Sequence, residues 1–212
     1  MRAAALLSCP PMTSLPRPQR PLCTSCHRPA RACICRWTTP TTNLTDVLLL
    51  QHPLEVGNAK NSLRLLELSL ARRAVVVGEQ FAPDVLQALL LGPEPGRSQP
   101  VLLYPDVPGL PSTAPAPDAS QPLRLVVLDA TWRKSRKMLA LNPALQALPR
   151  LALQDPPPSR YLVRKAHRDG QLSTLEAVCQ ALMQIEGDQR RYLPLLTAFD
   201  GFVAEQLAWR RG

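Results

Sequence analysis

Hydrophobic residues along the chain form short unbroken runs, separated by longer stretches in which apolar residues recur every three or four positions. Short unbroken runs bounded by turn residues predict strands that are buried on both faces, as in a parallel sheet. Because helical patterns separate most of these runs, the sequence predicts an α/β fold with a mostly parallel sheet and flanking helices. The predicted strands are residues 47–51, 74–77, 101–104, 123–128 and 150–153.

The stretches with helical spacing predict helices near 58–70, at 84–91, from Trp132 to the Asn142-Pro143 pair, after Ser173, and near 192–209. Ser173 and Glu176 have the spacing of a capping box, in which each side chain bonds the other residue's backbone N–H. The helix that follows Ser173 has the clearest apolar face, formed by Leu175, Val178, Cys179 and Leu182. In the last helix the residues expected to face inward are Leu196, Phe199, Val203 and Leu207.

A chain of 212 residues with 45% apolar residues can form one α/β domain with a small appendage. The segment 105–122 is rich in proline and small polar residues, so we expect an exposed insert without a packed core. Residues 1–20 are expected to form a disordered lead-in, because the proline-rich stretch from residue 16 favours an extended chain. Their apolar run is shorter than a signal h-region, so we do not expect export. No stretch is long and apolar enough to span a bilayer, so we expect a cytoplasmic protein without a membrane partner.

Basic residues exceed acidic ones by 25 to 16, which makes the formal net charge +9. A surplus of this size favours polyanionic partners, namely nucleic acid or an anionic membrane. An excess of arginine, alanine, leucine and proline can also reflect a GC-rich genome. The charge therefore favours a polyanionic partner without identifying it.

Four of the six cysteines, Cys23, Cys26, Cys33 and Cys35, fall within thirteen residues. Thiols stay reduced in a chain that is not exported, so metal coordination is favoured over disulfides. Four thiolates select zinc and close its tetrahedral shell, which predicts a structural Zn site in residues 21–37. Two alternatives stay open at this point: the cysteines are unligated in a loop, or His27 replaces one of them. The catalytic domain is then expected to span 44–212.

Polar residues follow the predicted strands at Gln51, Tyr104, Asp129 and Gln154, and ligands bind at the carboxyl edge of open α/β sheets. Asp129, Thr131 and Trp132 would bring a carboxylate, a hydroxyl and an indole to this edge. The alternative is that Asp129 and Thr131 only cap the next helix. The sequence contains no Gly-rich phosphate loop, G-x-G-x-x-G turn, H-E-x-x-H pair or G-x-S-x-G elbow, which weighs against the enzyme classes that use them.

Two groups of cations lie next to this edge. The first follows Trp132 and consists of Arg133, Lys134, Arg136 and Lys137. The second surrounds Tyr161 and consists of Arg160, Arg164, Lys165 and Arg168. Either group can be an ordinary solvated face, but both residue sets also suit RNA phosphates, and an aromatic among cations suits a stacked nucleotide.

Five motifs in order along the chain resemble the DTW-domain family of tRNA-uridine aminocarboxypropyltransferases. They are CHRPARACIC, LLLQHPLE followed by NAKNSLRLL, LDATW, PPPSRYLVRK and QLSTLEA. One departure is Ser62 after Asn61, where the family usually has threonine. The resemblance covers most of the chain and is more specific than any single motif.

The resemblance implies a SPOUT-like fold with a C-terminal trefoil knot, a tRNA substrate and S-adenosylmethionine as donor of a 3-amino-3-carboxypropyl group. The group would move to N3 of a uridine and leave methylthioadenosine. We expect Asp129 to be catalytic, as base or as orienting group. The donor is expected to contact Tyr104, Asp129, Thr131, Trp132, Leu153, Ser159, Tyr161, Leu172, Ser173 and Thr174.

Two other functions fit the same sequence. A SPOUT-type RNA methyltransferase would use the same donor, and a non-catalytic zinc-bearing module would bind RNA without it. If the protein is an aminocarboxypropyltransferase, the arginines of residues 21–37 are expected to dock RNA away from the reacting atoms. The oligomeric state and the identity of the tRNA and uridine are left open by the sequence.

Overall fold

The computed structural model describes residues 21–58, 61–105, 117–118, 120–161 and 172–208. The described strands are β1 (Asp46–Gln51), β2 (Arg73–Val77), β3 (Gln99–Leu103), β4 (Leu123–Asp129) and β5 (Arg150–Leu151). The described α-helices are α1 (Leu63–Ser69), α2 (Pro83–Leu91), α3 (Trp132–Leu141), α4 (Pro143–Gln146), α5 (Thr174–Glu186) and α6 (Leu193–Ala208). Short 3-10 helices lie at Ala30–Ala32, Cys35–Trp37 and Pro53–Glu55.

All five strands form one parallel sheet in the order β2-β1-β4-β3-β5. The prediction of an α/β fold with a mostly parallel sheet and flanking helices is therefore confirmed. In this register the last residue of β1, Gln51, lies opposite the last residue of β4, Asp129. The two polar residues are thus neighbours at the carboxyl edge of the sheet's centre.

The sheet separates two apolar cores, because side chains along a strand point alternately to opposite faces. On one face, Val47 and Leu49 of β1 pack with α1, α5 and α6. On the other face, Leu48 and Leu50 pack with α2, α3 and α4. All four side chains are at most 1% exposed, which explains why β1 is read as an unbroken apolar run.

Several predicted boundaries need correction. Helix α1 begins at Leu63 and not near residue 58, because the Asn61 side chain accepts a hydrogen bond from the Leu63 N–H (2.6 Å). Strand β5 has two residues where four were predicted, and α4 was not predicted. In α6, Phe199 and Val203 are buried as expected, but Leu195 and Phe202 complete the buried face while Leu196 and Leu207 are partly exposed.

The lead-in 1–20 and residues 106–116 and 119 of the proline-rich insert lie outside the described residues. The far end of the insert is attached to β3, since Gln99 and Asp118 exchange two hydrogen bonds of 3.0 and 3.1 Å. Within the described parts of the chain, every helix is too short or too polar to cross a lipid bilayer.

Candidate active site

The carboxylate of Asp129 is the centre of a buried hydrogen-bond network at the end of β4. Its Oδ2 accepts hydrogen bonds from Gln51 Nε2 (3.0 Å) and Asn61 Nδ2 (2.7 Å). Its Oδ1 accepts one from Thr174 Oγ1 (2.6 Å). Only 5% of Asp129 is exposed, and a buried carboxylate needs such donors to offset its lost hydration.

The three donors come from different parts of the chain. Gln51 ends β1, Asn61 precedes α1, and Thr174 is the first residue of α5. A carboxylate offers about four acceptor positions, two on each oxygen. Oδ2 therefore has both positions occupied, whereas Oδ1 keeps one that no described residue uses. The network orients Asp129 and leaves one acceptor position on Oδ1 without a partner among the described residues.

The interpretation of Asp129 and Thr131 as helix caps is wrong. Thr131 has the backbone conformation of the residue that precedes α3, but its side chain makes no capping hydrogen bond. The side-chain bonds of Asp129 go to other elements, as described above. Thr131 is exposed and lies two residues after Asp129.

Trp132 is the first residue of α3, and its side chain is 45% exposed. Its indole and the ring of Tyr104 pack edge to face, with the ring centroids 5.5 Å apart and the ring planes at 76°. Tyr104 itself is buried, lies within hydrogen-bond distance of Ser135 Oγ (3.3 Å) and has the Arg150 guanidinium over its ring. Tyr104 therefore supports the indole from below, and Trp132 offers an apolar surface to solvent.

The capping box of α5 is confirmed, and Glu176 does more than cap. Its carboxylate accepts hydrogen bonds from Ser173 N–H (2.8 Å), from Ser159 Oγ (2.9 Å) and from Arg160 N–H (2.7 Å). Glu176 thus attaches the segment around residues 159–160 to the start of α5. Among the other residues expected near the donor, Leu153 and Leu172 are partly exposed.

The expectation that Tyr161 stacks on a nucleotide is not met in this conformation. Its side chain is only 6% exposed and packs on Phe199, with the ring centroids 5.3 Å apart. The ring belongs to the apolar core under α6, so a base would reach it only if this packing changed. Arg164, Lys165 and Arg168 lie outside the described residues.

The cations differ in their partners. Lys134 pairs with the buried carboxylate of Glu55 (2.9 Å), Lys137 pairs with Glu79 (2.9 Å), and Arg160 pairs with Asp200 (2.6 Å). Glu79 also forms a hydrogen bond with His52 (2.9 Å). The bond from Lys137 and, to a smaller extent, the one from His52 hold the pKa of Glu79 below its usual value.

Arg133 and Arg136 are exposed, and in the described parts of the chain neither forms an ion pair. These two arginines are thus the cations of α3 whose charge no described carboxylate balances.

Sequence reasoning missed three contributors to this site: Gln51 and Asn61, which orient Asp129, and Glu55, which holds Lys134. Gln51 was noted only as a polar residue at a strand end. Glu55 and Asn61 lie in motifs that carry the family resemblance, but no spacing rule links them to Asp129, which is 68 positions beyond Asn61 in the chain.

The cysteine cluster comes together as predicted. The four Sγ atoms of Cys23, Cys26, Cys33 and Cys35 all lie within 4.8 Å of one another. Two of the separations are 3.6 and 3.8 Å. A tetrahedral zinc with Zn–S bonds of about 2.3 Å places its sulfurs about 3.8 Å apart, so the four thiols fit zinc. His27 is exposed and outside the cluster, while Cys179 is buried in α5 and Cys9 lies outside the described residues.

These features, a parallel α/β sheet with an Asp-Ala-Thr-Trp sequence at its carboxyl edge and a four-cysteine cluster, agree with the family comparison. The family model for the DTW domain matches residues 20–207. The chain therefore belongs to the DTW domain family, and the resemblance stated from the sequence is confirmed.

The chain is similar to curated proteins named tRNA-uridine aminocarboxypropyltransferase 2. The Drosophila melanogaster protein is 31% identical over 81% of this chain and 69% of its own length. The Macaca fascicularis protein is 24% identical, over 91% and 65% of the two lengths, and the Mus musculus protein 25%, over 89% and 64%. The chain thus spans about two thirds of the length of these relatives. The comparison with solved structures found no match.

Proposed function

We propose that this protein is a tRNA-modifying transferase that moves the 3-amino-3-carboxypropyl group of S-adenosylmethionine to N3 of a tRNA uridine. Support comes from the family match over residues 20–207 and from relatives that are named for this activity. The donor supplies an electrophilic methylene on a sulfonium, which leaves as neutral methylthioadenosine. The single observation that carries the proposal is the open acceptor position on Asp129 Oδ1 at the carboxyl edge of the sheet.

The role proposed for Asp129 follows from its hydrogen bonds. Gln51, Asn61 and Thr174 hold the carboxylate in one orientation, so its remaining lone pair points in a fixed direction. Uridine N3 carries a proton that must leave as the N3–C bond forms and the C–S bond breaks, with the electron pair of that bond passing to sulfur. We assign Asp129 to accept this N3–H, so that it orients the base and takes the proton.

Trp132 and the residues around it are proposed to form the substrate surface. The exposed indole suits stacking of a base or of the donor's adenine, because 45% of Trp132 is exposed and its edge-to-face contact with Tyr104 holds the ring in place. Arg133 and Arg136 are proposed to bind tRNA phosphates. Lys134, Lys137, Arg160, Arg164 and Lys165 belong to the same proposed RNA surface, although Glu55, Glu79 and Asp200 already balance the first three.

The proposal retains the donor contacts expected from the resemblance at Tyr104, Thr131, Leu153, Ser159, Leu172, Ser173 and Thr174. It also retains the SPOUT class, the C-terminal knot and a cytoplasmic location. The parallel sheet supports the class, and the segment between β5 and α5 includes residues 162–171, which lie outside the described residues. Zinc is proposed to be structural, since four thiolates leave it no open position.

The test is incubation of the purified protein with S-adenosylmethionine and unmodified tRNA, followed by mass spectrometry of nucleosides and by-product. Aminocarboxypropyluridine with methylthioadenosine supports the proposal. S-adenosylhomocysteine with a methylated nucleoside would instead show a methyltransferase, and salt-sensitive RNA binding without donor binding would show a non-catalytic module.

Asp129→Asn tests the carboxylate itself. The amide oxygen can accept from Gln51 and Asn61, and the amide nitrogen can donate to the Thr174 hydroxyl, so the network is retained while the open acceptor becomes a donor. We expect transfer to be lost and donor binding to persist. Asp84→Asn, on the exposed first turn of α2, is the matched control. Near-normal turnover of Asp129→Asn would exclude the assigned role.

A further inference from the structure

The segment that carries the four cysteines, residues 21–37 and here called the cysteine knuckle, is connected to the candidate active site by Arg28. The Arg28 guanidinium donates a hydrogen bond to the backbone carbonyl of Asn61 (3.0 Å). The side chain of the same Asn61 donates to Asp129 Oδ2 (2.7 Å). Two hydrogen bonds therefore lead from the metal-binding segment to the carboxylate that the proposed reaction uses.

The backbone of Arg28 is held in place by the cysteine segment. The Arg28 carbonyl accepts a hydrogen bond from the Cys23 N–H (2.8 Å), and the Cys23 carbonyl accepts one from the His27 N–H (2.9 Å). His27 adopts a positive φ of 55°, a conformation that is uncommon for a non-glycine residue and that forms the tight turn here. The turn that includes Cys26 thus determines where the Arg28 side chain starts.

The cysteine knuckle is also packed firmly on the rest of the domain. Trp37 donates to Glu205 (2.7 Å), and a Cβ at Gly201 would overlap the Trp37 ring, so this face of α6 requires glycine. The Arg28 guanidinium lies over the ring of Phe202, 5.6 Å from its centroid. Cys26 and Ile34 are each 2% exposed and belong to the main core. A docked segment of this kind transmits its position to whatever it contacts.

Asn61 is the residue through which the position of Arg28 affects Asp129. Its backbone accepts from Arg28, its side-chain oxygen accepts from the Leu63 N–H at the start of α1, and its side-chain nitrogen donates to Asp129. It is 6% exposed, so water does not readily replace these partners. A displacement of the Asn61 backbone would move the amide that orients Asp129.

We propose that the metal-loaded cysteine knuckle positions Asp129 through Arg28 and Asn61, so that Arg28 is a positioning residue for the transfer reaction. The part that concerns catalysis rests on the proposed function, whereas the structural coupling between Arg28 and Asn61 does not. The cysteine knuckle would then act on the rate of the reaction in addition to any docking of RNA.

Arg28→Met tests the link, because methionine retains an unbranched apolar stem and loses the hydrogen bond. We expect the full chain with this change to keep its zinc and its KM for S-adenosylmethionine, while kcat falls about tenfold or more. Arg28→Lys, which can still donate to the Asn61 carbonyl, should restore part of kcat. The control is Arg190→Met, an exposed arginine that follows α5 and lies outside the cysteine knuckle, which is expected to leave kcat unchanged.

Hydrogen exchange provides a readout that does not depend on activity. We expect Arg28→Met, and wild-type protein stripped of zinc by a chelator, to exchange the amides of residues 61–66 about tenfold faster, with recovery of the stripped protein when zinc is added. Unchanged exchange there in Arg28→Met would overturn the proposal, even if the enzyme is inactive. If Arg28→Met exchanges these amides faster but the wild-type protein itself has no transferase activity, the coupling is upheld and the proposed function is rejected.

Discussion

Thr174 Oγ1 and Asp129 Oδ1 lie 2.6 Å apart, and their hydrogen bond joins the last residue of β4 to the first residue of α5. The two residues are 45 positions apart in the chain. Thr174 sits between the two members of the capping box, Ser173 and Glu176, whose bonds determine where α5 begins. The helix start therefore determines the direction in which the carboxylate's open acceptor position points.

Thr174→Val should lower activity by removing this hydrogen bond while preserving the shape of the side chain. Valine has no hydroxyl, so Oδ1 loses its only donor among the described residues, and Gln51 and Asn61 alone then orient the carboxylate through Oδ2. We expect kcat to fall about tenfold or more, as is typical when a group that orients a functional side chain is lost. Thr174→Ser keeps the donor and should stay close to wild type. Equal activity of the valine and serine variants would contradict this role.

Metal content should depend on the four clustered cysteines and not on the fifth described one. Cys26→Ser replaces a buried sulfur ligand with a poor one, so we expect the bound zinc to fall well below one per chain and the thermal midpoint to fall with it. Cys179→Ala, on the buried face of α5, should keep full zinc content although it shortens a core side chain. Elemental analysis after dialysis checks both. Zinc loss from Cys179→Ala, or full zinc in Cys26→Ser, would contradict the assignment.

Removal of exposed arginines on α3 should weaken tRNA binding more than removal of a paired lysine. Arg133→Ala and Arg136→Ala each remove a cation that has no ion-pair partner in the described chain, so each should reduce the salt slope of binding by about one. Lys137→Ala is the comparison, because Glu79 already neutralises that ammonium. Binding isotherms at several salt concentrations measure the slopes. A larger effect from Lys137→Ala than from both arginine variants would contradict this ranking.

The protein should lose stability in acid, because Glu79 becomes protonated there and its ion pair is lost. The hydrogen bond from Lys137 and, to a smaller extent, the one from His52 lower the pKa of Glu79 below its ordinary 4.5. A depressed carboxyl pKa contributes stability that is present above the ordinary value and is lost as the pH falls through the folded value.

Glu79→Gln tests this directly by urea unfolding between neutral pH and about pH 3. The variant should be less stable than wild type at neutral pH, and the difference should shrink below pH 4.5. A difference that is constant with pH would show that the effect of the substitution is not electrostatic.

The sequence could predict many features whose cause is local, although the start of α1 and the short helix α4 were missed. Short apolar runs located all five strands, because a central parallel strand such as β1 is covered on both faces and tolerates polar residues only at its ends. The spacing of Ser173 and Glu176 identified the start of α5, since a capping box is made by residues three apart. The close spacing of four cysteines likewise predicted a cluster that the structure brings within 4.8 Å.

What the sequence could not predict depends on contacts between distant segments. The position of Asp129 in the sequence also fits a helix cap, and only the sheet register beside Gln51 and the approach of Asn61 and Thr174 make it an oriented carboxylate. Tyr161 among cations reads as a stacking surface, but packing on Phe199 buries it. Local pattern thus determined the elements and the residue types at the sheet edge. Tertiary packing decided which of those residues meet, because hydrogen bonds and burial act over distances in space and not along the chain.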